Sequence, residues 1–188
     1  MKFPAFRIVA LLVFLCMSPL LFAKIISREE ALKAAFPDAE IRQSMVFLTQ
    51  EERKEASKLA GVPVESALVA RYDAFKDQKS IGRAYLDTHL VRTKKESLLI
   101  ILNQDGKIRR IEIVAFLEPP EYIPSEKWYQ QFEGKSLQPE LQLKKEIHPV
   151  TGATLTAQAS TEAARRILAI DQILLKRESS GDQKNESS

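Results

Sequence analysis

His148-Pro149-Val150-Thr151-Gly152-Ala153-Thr154-Leu155-Thr156 is followed at once by a long segment of helical periodicity. Three threonine hydroxyls crowd a Gly-Ala step. Glycine lets the backbone turn tightly and approach a ligand closely. A helix opening just after such a turn aims N–H groups and the positive end of its dipole back at the turn, which suits phosphate. On residue chemistry alone, the stretch is either an anion site or a turn whose hydroxyls cap the helix.

The helix behind it spans 157 to about 176. Ala163, Ile167, Ile170 and Leu174 form a helical seam, joined by Leu168 and Leu175. The seam packs the helix on a sheet and thereby fixes the turn at 151–156. Each such side chain contributes about 1.5 to 3 kcal/mol when buried, before entropy is counted.

Upstream, residues 107–116 alternate: Ile108, Arg110, Glu112 and Val114 face one way, Ile111, Ile113 and Ala115 the other. Asp105-Gly106 before them is a hairpin dipeptide. Residues 97–102 form a short apolar run and 82–92 alternate loosely, so two to four antiparallel strands are expected here. Three prolines in Glu118-Pro119-Pro120-Glu121-Tyr122-Ile123-Pro124 exclude both helix and ladder. Ser125 then caps a short helix, 126–132, carrying Trp128, Tyr129 and Phe132, and Gly134-Lys135 follows.

Nearer the N-terminus, Ser27 with Glu30 and Thr49 with Glu52 are capping boxes. The first opens a helix with Ala31, Leu32, Ala35 and Phe36 on one stripe. The second opens a helix over 50–60 that stops at Gly61 and is polar on most faces, as suits a surface position. Residues 41–48 and 64–75 read as strands, and 76–80 as a charged connection. The expected fold class is α+β: an antiparallel sheet with a hairpin, packed by a long C-terminal helix and shorter N-terminal helices.

Lys2 and Arg7 precede an apolar run over 8–22, and Ala23 suits a cleavage site, so 1–23 reads as a signal peptide. Left uncleaved, the run would act as an N-terminal membrane anchor. Cys16 is the sole cysteine and lies inside it, so the mature chain forms no intramolecular disulfide and has no Cys-based haem or zinc site. Cleavage reduces 28 basic residues to 26 against 25 acidic ones, which argues against nucleic acid as a partner. Arg109-Arg110, Lys144-Lys145 and Arg165-Arg166 read as solvated surface. With only His89 and His148, no metal site is expected. Residues 24–80 form an N-terminal α/β segment, 81–176 the main domain, and the polar tail 177–188 is expected to be disordered.

Thr151-Gly152-Ala153-Thr154 with Leu155-Thr156 lies behind a hairpin, a Glu-Pro loop and an aromatic helix ending in Phe132-Glu133-Gly134-Lys135. This order, over 82–175, resembles the FMN-binding domain family. That family includes the C subunit of the sodium-pumping NADH:quinone reductase and the G subunit of the Rnf complex. The resemblance implies that Thr154 carries FMN through a phosphoester bond, with Thr151, Gly152, Ala153 and Thr156 around it. Glu118 lies in the family's loop; Lys135, whose Gly-Lys pair matches the family, is either a phosphate contact or a turn residue, and Trp128 and Tyr122 either stack on the isoalloxazine ring or belong to the core. A covalent bond fits the lack of any G-x-G-x-x-G or P-loop pattern.

By the same resemblance, a flavin transferase moves FMN from FAD onto Thr154. The chain is then an exported, periplasmic flavoprotein passing electrons between membrane or periplasmic redox partners, with no catalytic residue of its own. Two positions depart from the family. His148 stands where it has Asp, six residues before the acceptor, and Glu118-Pro119-Pro120 replaces Glu-Thr-Pro-Gly. The alternatives are a flavin-free periplasmic interaction module that kept the fold, or a hydrolase using Thr154 or Ser160 with His148 as base.

Overall fold

Five antiparallel strands lie side by side in chain order: β1 (Glu40–Phe47), β2 (Leu68–Lys76), β3 (Lys79–Leu90), β4 (Lys95–Asn103) and β5 (Ile108–Phe116). They come from a computed structural model that describes residues 25–186, with side chains to 180. The signal reading of 1–23 falls outside the described residues. Helix α1 (Arg28–Ala35) precedes the sheet, α2 (Gln50–Ala60) joins β1 to β2, α3 (Glu126–Tyr129) follows β5, and α4 (Thr154–Glu186) ends the described chain. Both N-terminal capping boxes form, Ser27 with Glu30 and Thr49 with Glu52.

The sheet is covered on both faces. Ala31, Leu32 and Ala35 of α1, with Phe36 at its C-terminal cap, meet Tyr72, Ala84, Leu99 and Ile101 on one side. On the other, Ile167, Ile170, Ile173 and Leu174 of α4 meet Tyr85, Leu98, Ile100 and Leu102. Residues 98–102 of β4 are completely buried. A central strand enclosed on both faces has no reason to alternate, which is why it reads as an unbroken apolar run. Gly82 sits where β3 passes under the ring of Phe36, the residue that ends α1. A Cβ there would lie 2.6 Å from the Leu102 carbonyl oxygen and 2.7 Å from the Phe36 ring.

Several expectations change. The supposed connection over 76–80 is a tight hairpin: Lys76 pairs with Lys79, and Asp77-Gln78 turn the chain with positive φ at both residues. Polar side chains marked a turn, not a boundary. The break placed between 80 and 81 therefore falls inside one continuous sheet. Helix α4 runs on through 178–186, into the stretch expected to be tail. Its Glu, Lys, Gln and Ser residues tolerate helix, Glu178 pairs with Arg71, and the Ser179 and Ser180 hydroxyls donate to the Lys176 carbonyl. Leu175 is 39% exposed and leaves the seam.

Arg165-Arg166 is not solvated surface. Arg165 is buried and donates to the carbonyls of Ala60, Gln138 and Leu141, tying α2 and the 138–141 loop to α4. Arg166 forms a bidentate pair with Asp87 at 2.8 and 2.9 Å. A second buried pair, Arg83 with Asp171, is completed by the Tyr85 hydroxyl at 2.8 Å and pins α4 to β3. Arg166 turns from α4 toward β3, Arg165 toward α2 and the 138–141 loop, and Arg83 from β3 toward α4, which no local run of charge discloses. Among the described residues no helix is long and apolar enough to cross a membrane.

Candidate functional site

The turn at 148–153 is suspended between two elements anchored on one carboxylate. Glu96, fully buried on β4, accepts from Tyr129 of α3 at 3.2 Å and from Ser160 of α4 at 3.3 Å. Its Oε2 also receives His89 Nε2 at 3.1 Å, while His89 Nδ1 meets Asp87 at 2.8 Å. Burial, the strongest single influence on His89, would lower its pKa. The hydrogen bonds to Asp87 and Glu96 and the charges behind them outweigh it, and the imidazole is pushed up to about 9. Burial alone would raise the Asp87 pKa, but the hydrogen bonds from Arg166 and His89 prevail and hold it below its ordinary value.

Between these anchors the chain is tied down locally. The Trp128 indole donates to the His148 carbonyl at 2.7 Å, and the His148 N–H donates to Gln131 Oε1 at 2.8 Å. Val150 packs against the core and Ala153 is buried. Gly152 takes φ +84, open to glycine at little cost, and the chain enters α4 at Thr154. The Ala153 carbonyl accepts the first helical bond, from Ala157 at 2.9 Å. The Thr154 hydroxyl donates back to the Val150 carbonyl at 3.3 Å, so it does not cap the helix. Its side chain is exposed.

Residues 152–156 line a cavity of about 190 Å³ together with Arg92 and Tyr122. The Arg92 guanidinium lies 5.2 Å from the centre of the Tyr122 ring. Leu155, 52% exposed, adds an apolar surface beside them. Glu118 acts one step away. Its Oε1 accepts from the backbone N–H of Thr93 at 2.7 Å and of Lys94 at 2.8 Å, and from the Thr93 hydroxyl at 3.2 Å. The Thr93 and Lys94 N–H groups hold this carboxyl below its usual range. The clamp stabilises the β3–β4 turn that carries Arg92.

Of the residues picked out from sequence, Gly152, Ala153, Thr154 and Thr156 line this cavity with Tyr122, and Glu118 holds its wall. Thr151 is exposed on the turn itself. Trp128 belongs to the core, edge-on to Tyr129 and Phe132, and serves the turn through its indole N–H. Lys135 lies elsewhere: its ammonium pairs with Glu146 at 3.1 Å and its carbonyl accepts from Ile108 at the β5 edge. Arg92 was missed. Its signal is faint, a lone arginine one residue into a polar turn.

A larger cavity, about 590 Å³, opens between β2, β3 and α4 with Asp87, His89 and Arg166 among its lining residues. Those groups satisfy one another, whereas Arg92 has no carboxylate partner among the described residues. Among the described residues no cluster of His, Cys, Asp and Glu suited to a metal is present.

The donor set in the smaller cavity fits FMN. It offers threonine hydroxyls and a guanidinium that can bond phosphate oxygens, and a phenol ring for an aromatic face. The volume is below that of a site enclosing a drug-sized ligand, so the ring would lie largely outside. Residues 94–169, from the β3–β4 turn into α4, match the FMN-binding domain model. No curated protein matches the chain. Through these residues the chain is similar to the FMN-binding domain, and the matched stretch indicates FMN as the cofactor.

Proposed function

We propose that FMN is held covalently on Thr154 and that the chain is an exported carrier of electrons between redox partners at or near a membrane. The observation that supports this best is the exposed Thr154 hydroxyl at the mouth of a cavity it shares with Arg92 and Tyr122. Attachment is a phosphoryl transfer. Thr154 Oγ1 bonds to the phosphorus of the FMN half of FAD, the pyrophosphate P–O bond breaks, AMP leaves, and the hydroxyl proton passes to a base of the transferase. The chain's part is presentation. The Val150 carbonyl orients the hydroxyl, and the Trp128 and Gln131 bonds hold the turn outward.

When bound, the flavin supplies one- and two-electron transfer. A cavity too small to enclose the ring leaves it open to partners, as a carrier between proteins requires. The N-terminal apolar run supports export, with cleavage leaving Lys24 first; recovery at full length only in membranes would make it an anchor instead. The covalent claim is tested by co-expression with a flavin transferase. The denatured wild type should fluoresce under ultraviolet light and Thr154→Ala should be dark. A dark wild-type band overturns the covalent claim.

A further inference from the structure

We infer that Arg92 binds the phosphate of FMN at Thr154, and that Glu118 is its positioning residue. The inference rests on the Thr154 reading and deepens it. Arg92 precedes the 94–169 match by two residues, so the family model does not include it. Among the described residues it is the only cation lining the cavity that holds Thr154. Its side chain is exposed, with the guanidinium over the Tyr122 ring at 5.2 Å. A guanidinium so placed keeps its fork of N–H donors available for phosphate oxygens while the ring limits its rotamers.

The backbone carrying it is fixed from the far side. Glu118, just beyond β5, accepts from two successive N–H groups of the turn, and the Leu117 N–H donates to Lys95 at 3.0 Å. Glu118 touches no ligand; it determines where Arg92 stands. Lys135, the phosphate contact considered from the sequence, is paired with Glu146.

The test uses full-length mature protein made without transferase, titrated with FMN and with riboflavin, which lacks the phosphate. Wild type should bind FMN about tenfold more tightly, the low end for a charge-assisted bond at an exposed site. That margin should shrink as salt is raised. Arg92→Ala should bring the two flavins level while riboflavin binding is unchanged, and Arg92→Lys should keep part of the margin. Glu118→Ala should narrow it too, whereas a purely structural role would weaken both flavins alike. Equal affinities in wild type, a margin that survives Arg92→Ala, or no saturation by either flavin overturns the inference. Failure of covalent attachment is read separately, as a dark wild-type band after co-expression with transferase.

Discussion

Replacing His89 with glutamine should change how stability depends on pH. In the folded chain the imidazole donates to Asp87 on β3 and Glu96 on β4, with Arg166 of α4 and Tyr129 of α3 bonded to the same two carboxylates. Its pKa is pushed up to about 9 from an ordinary 6.5. A group whose folded pKa is raised contributes stability that is fully present below the unfolded value and is lost as pH rises through the folded value. Here that window runs from 6.5 to about 9. At about 1.4 kcal/mol per pKa unit, the contribution is on the order of 3 kcal/mol. The assay is urea unfolding of wild type and His89→Gln, followed by Trp128 fluorescence across that window. The variant subtracts every other titrating group. The stability difference should be large on the acid side and shrink by that amount on the alkaline side. A difference that stays flat would refute an ionised His89 and with it the account of how α3 and α4 are tied to the sheet.

Other perturbations follow from the same geometry. Gly82→Ala places a Cβ 2.6 Å from the Leu102 carbonyl oxygen and should cost about 1 to 3 kcal/mol of unfolding free energy, measured by denaturant titration. Trp128→Phe keeps the aromatic core but leaves the His148 carbonyl without its donor, at a cost of roughly 1 kcal/mol. Its specific mark should be faster hydrogen exchange at the amides of 150–153. Arg165→Met removes three carbonyl contacts from one buried guanidinium. It should destabilise by about 3 kcal/mol and loosen the 138–141 loop, again read by hydrogen exchange.

What was legible in the sequence is what is settled over short spans. Ser27 and Glu30, or Thr49 and Glu52, are three residues apart, and each pair closes a helix end by itself. Asp105-Gly106 turns β4 into β5, with φ +77 at Gly106. The seam of Ala163, Ile167, Ile170 and Leu174 is buried as its spacing requires. What stayed hidden depends on strands meeting helices far away in the chain. Asp87 and Arg166 are 79 positions apart, and Arg83 and Asp171 are 88. Nothing local distinguishes a buried arginine from a solvated one until its acceptor is in place. Arg92 is hidden for the same reason, since the cavity joins it to the start of α4 only through the fold. Lys135 misled because a Gly-Lys pair after an aromatic helix serves equally well to close the β5 edge, where Gly134 and Lys135 both bond Ile108.

The most direct test is peptide mapping by mass spectrometry of the protein purified from cells that contain a flavin transferase. One FMN should be found in phosphodiester linkage on the fragment containing Thr154, with fragmentation locating it on that residue. An unmodified fragment, or FMN on Thr151 or Thr156 instead, would contradict the assignment of Thr154 as the residue that holds the flavin.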